Sequence, residues 1–108
     1  MRYLMMTMRD ENQGTPDEKL FEEMDKFVAE LSAAGVIVAA GGLDQNGMQI
    51  VQRDGELVVT DGPYAEAKET VGGFALVDVR SKEEMLEIAR RSFAIGGDGV
   101  CRVHEVFL

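Results

Sequence analysis

Asp61 and His104 are the two residues of this chain best suited to proton transfer. A carboxylate beside a cavity acts as a general acid or base once burial has raised its pKa toward neutrality. Asp61 has a structural alternative, because an Asp that precedes Gly-Pro commonly hydrogen-bonds within its own turn. His104 is the only histidine and could carry protons, or it could be an ordinary surface residue of an edge strand. Both interpretations remain open for each residue.

The residues that follow Asp61 could form a ligand-binding loop. Gly62 permits a positive φ angle and Pro63 fixes the next φ angle, so that the loop can hold side chains in defined positions. The hydroxyl of Tyr64 could bind an oxyanion or a carbonyl, or its ring could pack under the loop. Lys68 could attract an anionic substrate or belong to a solvated charged stretch. The candidate ligand-binding residues are therefore Gly62, Pro63, Tyr64 and Lys68.

No pattern in the sequence indicates a metal or a cofactor, and we expect neither. A single His without a second His or a Cys nearby in the sequence is unfavourable for a metal site. The glycine-rich run at residues 96–99 precedes a strand rather than opening a helix, so it fails as a dinucleotide-binding fingerprint. The lining of an adaptable apolar cavity could come from methionines, which are otherwise ordinary core residues. The methionines concerned are Met5, Met6, Met8 and Met48.

Composition and charge exclude several functional classes. The 108 residues, 45% hydrophobic and 29% charged, fit one soluble domain spanning residues 1–108. A net charge of −9 disfavours nucleic acid and anionic membrane surfaces as partners. The first eight residues lack the apolar region and cleavage site of a signal peptide. The single cysteine, Cys101, fits a buried, inert thiol in a reducing compartment, and we expect a cytoplasmic protein.

Two helices are predicted from their capping signals. Thr15 as N-cap, Pro16 at the first helical position and Glu18 in a capping box are typical of a helix start. Gly35 is typical of the residue just beyond a helix end. An apolar stripe at helical spacing joins these two signals, and its members are Leu20, Phe21, Met24, Phe27, Val28 and Leu31. Ser81 begins a second capping box and a second helix.

Six strands are predicted around these helices. They are expected at residues 2–8, 36–40, 48–53, 56–60, 74–79 and 100–108. Asp54-Gly55 is the strongest short signal for a two-residue hairpin, and Gly41-Gly42 is expected to stop the second strand. The resulting order, β-α-β, a hairpin, then β-α-β, predicts an α+β, ferredoxin-like split βαβ fold with both helices on one face of an antiparallel sheet.

The other face of such a sheet needs a cover. We expect it to carry Tyr3 and Met5, or Val77 and Val79, since both faces of the first strand are largely apolar. A large exposed apolar face usually marks an interface. Homodimerisation through the open sheet faces is the prediction.

The segment Thr60–Phe74, TDGPYAEAKETVGGF, resembles the signature of the YCII-related, or DGPF-domain, family, with Tyr64 in place of the usual Phe. The resemblance covers nearly the whole chain and implies a dimeric α/β barrel, in which two ferredoxin-like sheets face one another around a cavity. Since the usual Phe has no hydroxyl, a mechanism common to the family does not need one, which favours packing for Tyr64. His104 stands where the family often has Arg, and no residue here matches the His of the His–Asp pair in other YCII-type proteins.

Three functions are compatible with these features. The first is a small enzyme that performs acid/base chemistry on a small organic molecule in the dimer cavity, by analogy with related barrels. The second is a non-catalytic module that binds a small molecule or regulates a partner, because family members are often associated with extracytoplasmic-function sigma factors. The third is a plain structural dimer. The sequence contains no complete nucleophile–base set that would decide between them.

Overall fold

The fold is an α+β, ferredoxin-like arrangement with a separate hairpin. The structure, a computed structural model, describes residues 1–9, 17–44, 46–62 and 70–108. The elements in chain order are β1 (Arg2–Arg9), α1 (Glu18–Ala33), β2 (Ile37–Gly42), β3 (Met48–Arg53), β4 (Glu56–Asp61), β5 (Thr70–Asp78), α2 (Lys82–Gly96) and β6 (Cys101–Val106). Four strands form an antiparallel sheet in the order β2-β5-β1-β6, whereas β3 and β4 pair only with each other. The predicted fold class is confirmed.

The N-cap of helix α1 lies two residues later in the chain than the sequence indicates. Asp17 is the N-cap, and its carboxylate accepts a hydrogen bond of 2.8 Å from the backbone N–H of Leu20. The predicted N-cap, Thr15, lies with Pro16 outside the described residues, and Glu18 is the first helical residue rather than a capping-box partner. Asp17 prevails because a carboxylate both caps the free N–H groups and interacts well with the helix dipole.

The end of α1 matches its prediction. Gly35 has a φ angle of 77°, which a residue with a β-carbon rarely adopts. The N–H of Val36 donates to the carbonyl of Leu31 at 2.9 Å, and that of Gly35 donates to the carbonyl of Ser32 at 3.1 Å. This pair of bonds is the Schellman motif, which turns the chain from the helix into β2.

Helix α2 starts at the predicted N-cap, Ser81, but the carboxylate of Glu84 bonds to a backbone N–H one residue before the expected one. The hydroxyl of Ser81 accepts a 3.2 Å bond from the N–H of Glu84, as expected. The Glu84 carboxylate reaches back to the N–H of Arg80 at 3.0 Å, not to that of Ser81. Both bonds satisfy backbone N–H groups at the start of the helix, which is what a capping box does.

The two-residue hairpin is confirmed. Asp54 and Gly55 have φ angles of 51° and 82°, and Arg53 pairs with Glu56 across the turn. Positive φ at both central residues is the type I′ turn, whose twist matches that of the flanking strands.

The helices cover the face of the sheet that we expected to be open. Tyr3, Met5, Val77 and Val79 are all buried in one core cluster, and Val77 is 0% exposed. The expectation that these residues lie on the open face is therefore wrong. Their partners in the core come from both helices and β2, and they are Phe27, Leu31, Ile37, Met85 and Ile88.

The opposite face, called here the open face, consists of the alternate residues of the same strands. Leu4 lies opposite Leu76 on one side and opposite His104 on the other, so the three side chains share this face. Met6, two residues along β1, projects in the same direction. No side chain of the open face belongs to the core cluster, within the part of the chain that the structure describes.

Strand boundaries near the two glycine pairs differ from those expected. Gly41 and Gly42 continue β2 rather than ending it, and β5 begins at Thr70 rather than at Phe74. The pairing of β1 with β5 skips Gly72, which makes a β-bulge. Glycines are tolerated here because the strands approach closely: a β-carbon on Gly73 would lie 3.2 Å from the carbonyl oxygen of Gly41. The last strand, β6, is also shorter than predicted.

A cationic clamp joins the two helices. The guanidinium of Arg91 in α2 pairs with the carboxylate of Glu30 in α1. The same guanidinium lies 4.9 Å from the centre of the Phe27 ring, which is a cation–π contact. Arg91 therefore holds one charged and one aromatic partner on the same helix.

Replacement of Arg91 by Ala is expected to lower the free energy of unfolding by about 1 kcal/mol, the sum of one exposed ion pair and one cation–π contact. Arg90→Ala is the control, because the ion pair that Arg90 makes among the described residues is with Glu87 in its own helix, and such pairs contribute roughly 0.2–0.5 kcal/mol. Urea denaturation of both variants measures the difference. Equal losses would mean that the interhelical clamp adds nothing.

Candidate functional site

Asp61 and Gly62 lie at the base of the hairpin. Asp61 is the last residue of β4, is exposed, and stands opposite Met48 of β3. The N–H of Gly62 donates to the carbonyl of Gly47 at 2.7 Å. A β-carbon on Gly62 would lie only 2.7 Å from that same oxygen. Gly62 is thus required for a close approach of two backbones, and its φ angle does not use the left-handed region that we expected.

A Gly62→Ala substitution is expected to reduce the free energy of unfolding by about 1–3 kcal/mol, because the added methyl group forces the hairpin base apart. Gly47→Ala is a matched control, since nothing lies within 4 Å of a β-carbon at that position. The control is expected to change the free energy by less than about 1 kcal/mol in either direction. Thermal and urea unfolding measure both, and an unaffected Gly62→Ala variant would contradict the steric argument.

The other predicted ligand-binding residues, Pro63, Tyr64 and Lys68, lie outside the described residues. Their roles therefore stay predictions. The described part of the signature segment is not a loop: Thr60 and Asp61 belong to β4, and residues 70–74 belong to β5.

His104 projects from β6 onto the open face. It lies opposite Leu4 and is exposed. Strand β6 forms one edge of the sheet, and β2 forms the other. The hairpin that carries Asp61 follows β2 and precedes β5 in the chain. Strands are about 4.8 Å apart, so β6 and β5 are separated by roughly 10 Å. Among the described residues, no hydrogen bond or ion pair joins Asp61 to His104.

A cavity that the sequence did not predict lies on the helix side of the sheet. Its volume is about 700 Å³, it is bounded by α1, α2 and the sheet, and it opens to solvent, since the lining residues Thr7, Asp25 and Ala40 are exposed. We call it the helix-side cavity. Met5 and Met8 contribute to its lining, as the sequence allowed, and Met24 joins them. Met6 belongs to the open face instead, and Met48 is exposed on the hairpin.

Cys101 also lines the helix-side cavity. It is the first residue of β6 and is half-buried, rather than fully buried in mid-strand as expected. Burial raises the pKa of its thiol, and a hydrogen bond with the backbone of Met6 opposes this in part. The thiol is therefore neutral at physiological pH, and its predicted inertness stays a prediction.

The described residues contain neither a metal-binding cluster nor a membrane-spanning helix. No group of three His, Cys, Asp or Glu side chains gathers closely enough to hold a metal ion in the described part of the chain. Neither α1 nor α2, the helices of that part, is long and apolar enough to span a bilayer.

Comparison with known families decides the classification. The model of the YCII-related domain matches residues 1–107. The chain belongs to the YCII-related family. The resemblance found in the Asp-Gly-Pro segment is thereby confirmed over almost the full sequence.

Relatives of this YCII-related chain include a curated protein and a solved structure. An uncharacterised protein of Rhizobium meliloti (strain 1021) is 53% identical over 36 residues, which are 33% of this chain and 29% of that protein. The match thus spans less than a third of the relative's length. The solved structure is 5-chloro-2-hydroxyhydroquinone dehydrochlorinase from Burkholderia phenoliruptrix AC1100 in complex with 2,5-dihydroxybenzoquinone. It is 16% identical, with a TM-score of 0.46, over 99% of this chain and 94% of that one.

Proposed function

We propose that this YCII-related protein is a homodimer that binds a small organic molecule between the open faces of two facing sheets. The open face carries the proposal, because its apolar residues Leu4, Met6 and Leu76 form a row across the two central strands. These residues are half-buried, and an apolar sheet face that the described part of the chain leaves open is typical of a protein–protein interface. In the proposed dimer, the open faces of two copies would face one another, and the ligand would lie between the side chains of the two faces.

The exposed area of the chain supports a second copy as the cover. The chain exposes 8189 Å², whereas a compact monomer of this mass exposes about 6,000 Å². Its radius of gyration is 16.0 Å, against about 13 Å for a compact domain of this length. A standard interface needs only about 800 Å² from each partner. The excess surface is ample for a dimer.

The hairpin adds a second apolar surface to the proposed interface. One of its faces, called here the hairpin face, is made by residues that pair across β3 and β4. Its apolar members are Met48, Ile50, Leu57 and Val59, which are 52–65% exposed. Two strands alone are marginally stable in water, so a hairpin of this composition gains from packing against another copy.

Acid/base chemistry is the finer part of the proposal, and the position of Asp61 favours it. Asp61 pairs with Met48 and so lies at the end of the hairpin face. His104 lies on the open face. Both surfaces become interfacial in the proposed dimer, and removal of a carboxylate from water prepares it to accept or hold a proton. Asp61 would then be the proton carrier and His104 its helper.

Light scattering at micromolar concentration tests the dimer. A mass near twice 11.9 kDa is the expected result, and a monomer would refute the proposal.

Once a ligand is identified by native mass spectrometry of the purified protein, Asp61→Asn separates the two roles of Asp61. Loss of turnover with retained binding supports proton transfer, whereas loss of folding supports a turn cap.

We further propose a cytoplasmic location, supported by the free cysteine Cys101.

A further inference from the structure

We infer that the helix-side cavity is a second ligand site, separate from the open face, that takes a neutral and largely apolar small molecule. The cavity lies on the opposite face of the sheet from the proposed dimer interface. Its sheet wall includes Met5 and Ala40, and its helix walls include Val28 and Ala89. All of the described lining residues belong to a single chain.

The size of the cavity suits a ligand rather than trapped solvent. About 700 Å³ falls within the range of small-molecule pockets. Met24, Val28 and Ala89 pack against the core cluster but are only partly buried, because their free sides face this space. Apolar walls of this kind bind apolar molecules more readily than they bind water. Methionine side chains at two walls, Met5 and Met24, can adapt to different ring shapes.

The charges of the lining select against anions. No Lys, Arg or His belongs to the described lining, whereas two carboxylates, Asp25 and Asp98, do. Within this described lining, a bound carboxylate or phosphate would meet two carboxylates and no cationic side chain. The neutral polar groups of the lining, the hydroxyls of Thr7 and Ser92, can orient one donor or acceptor of a ligand. A neutral molecule of one or two rings fits both the walls and the charges.

Two adjacent residues of β2 provide a matched pair of variants. Ala40 lies opposite Ala75, on the helix side, and lines the cavity. Ala39 lies opposite Leu76, on the open face, and does not. Both are exposed. Ala40→Phe therefore fills the cavity from its floor, while Ala39→Phe places the same ring on the other side of the same strand.

The test uses the neutral fluorescent dye N-phenyl-1-naphthylamine with the intact protein. Ala40→Phe is expected to weaken dye binding by roughly tenfold or more, and Ala39→Phe by less than about threefold. The anionic dye 1-anilinonaphthalene-8-sulfonate is expected to bind at least about tenfold more weakly than the neutral one. Saturating neutral dye should also slow the alkylation of Cys101 by N-ethylmaleimide, because the thiol lines the cavity.

Several results would overturn the inference. They are equal dye affinity for Ala40→Phe and Ala39→Phe, tighter binding of the anionic dye, or an unchanged alkylation rate of Cys101. Loss of dye binding in Val59→Lys alone would place the dye on the hairpin face and refute it equally. If Ala40→Phe does not fold, Ala89→Leu fills the cavity from α2, and Ala94→Leu is its control, since Ala94 is exposed on the same helix and does not line the cavity.

Discussion

Replacement of Phe27 by Ala is expected to lower the free energy of unfolding by about 3–5 kcal/mol. Phe27 is 7% exposed and contacts the core cluster at the centre of α1. Its truncation leaves a cavity beneath the helix, and the relaxation of neighbouring side chains fills such a cavity only in part. The substitution also removes the ring beneath the Arg91 guanidinium. A loss of this size is a large share of the total stability of a small domain.

Phe21→Ala is the control for this experiment, because Phe21 belongs to the same helix and is 56% exposed. Its loss is expected to stay below about 1 kcal/mol. Urea denaturation at several protein concentrations gives both values and separates folding from assembly, since dimer stability depends on concentration. Comparable losses for the two variants would show that Phe21 is covered in solution by something other than α1's own core.

The two phenylalanines also show where sequence reasoning about α1 stops. Both belong to the predicted apolar stripe, but residues six positions apart lie about 120° apart around a helix. Phe21 and Phe27 therefore lie at opposite edges of the stripe, and Met24 lies near its centre. The period of the pattern identifies the helix, but only the position of α1 over the sheet determines which edge of the stripe is covered.

Most caps and turns were predictable because a few neighbouring residues encode each one; the start of α1 is the exception, since its N-cap is Asp17 and not Thr15. Ser81 with Glu84, Gly35 and Asp54-Gly55 all act as expected. The covered face of the sheet was not predictable in this way. Tyr3 and Met5 alternate with Leu4 and Met6 in β1, so the strand is apolar on both sides and fits either assignment.

The same distinction between features encoded by neighbouring residues and features that depend on distant contacts applies to the candidate site. The Asp-Gly-Pro segment indicated the family, and the family match confirms it. The reason for Gly62 was invisible in the sequence, because its close contact is with Gly47, on the far side of the hairpin. The position of the helix-side cavity was missed because its described walls come from six elements, namely β1, α1, β2, β5, α2 and β6. Met5 and Met8 were predicted as possible lining of an apolar cavity, but nothing in the sequence indicated that this cavity lies between the helices and the sheet.

Replacement of Leu76 by Lys is expected to weaken the proposed dimer by about 100-fold or more. Leu76 lies on β5, one of the two central strands, and projects onto the open face opposite Leu4. In the monomer the long lysine side chain can extend its charge into water. In the dimer the same charge would be buried against an apolar partner surface without a counter-ion, and such burial is strongly unfavourable. Sedimentation equilibrium over a concentration series measures the dissociation constant.

Leu86→Lys is the control for charge and size, because Leu86 is 38% exposed on α2, away from the open face. It is expected to leave the dissociation constant within about threefold of that of the parent protein. Ile50→Lys then tests the hairpin face separately. If Leu76→Lys leaves dimerisation intact while Ile50→Lys abolishes it, the hairpin alone forms the interface, the two sheets do not enclose a cavity, and the proposed site between them is wrong. If both variants become monomeric with unchanged circular dichroism, the interface comprises the open face and the hairpin face, and Asp61 and His104 both lie within it.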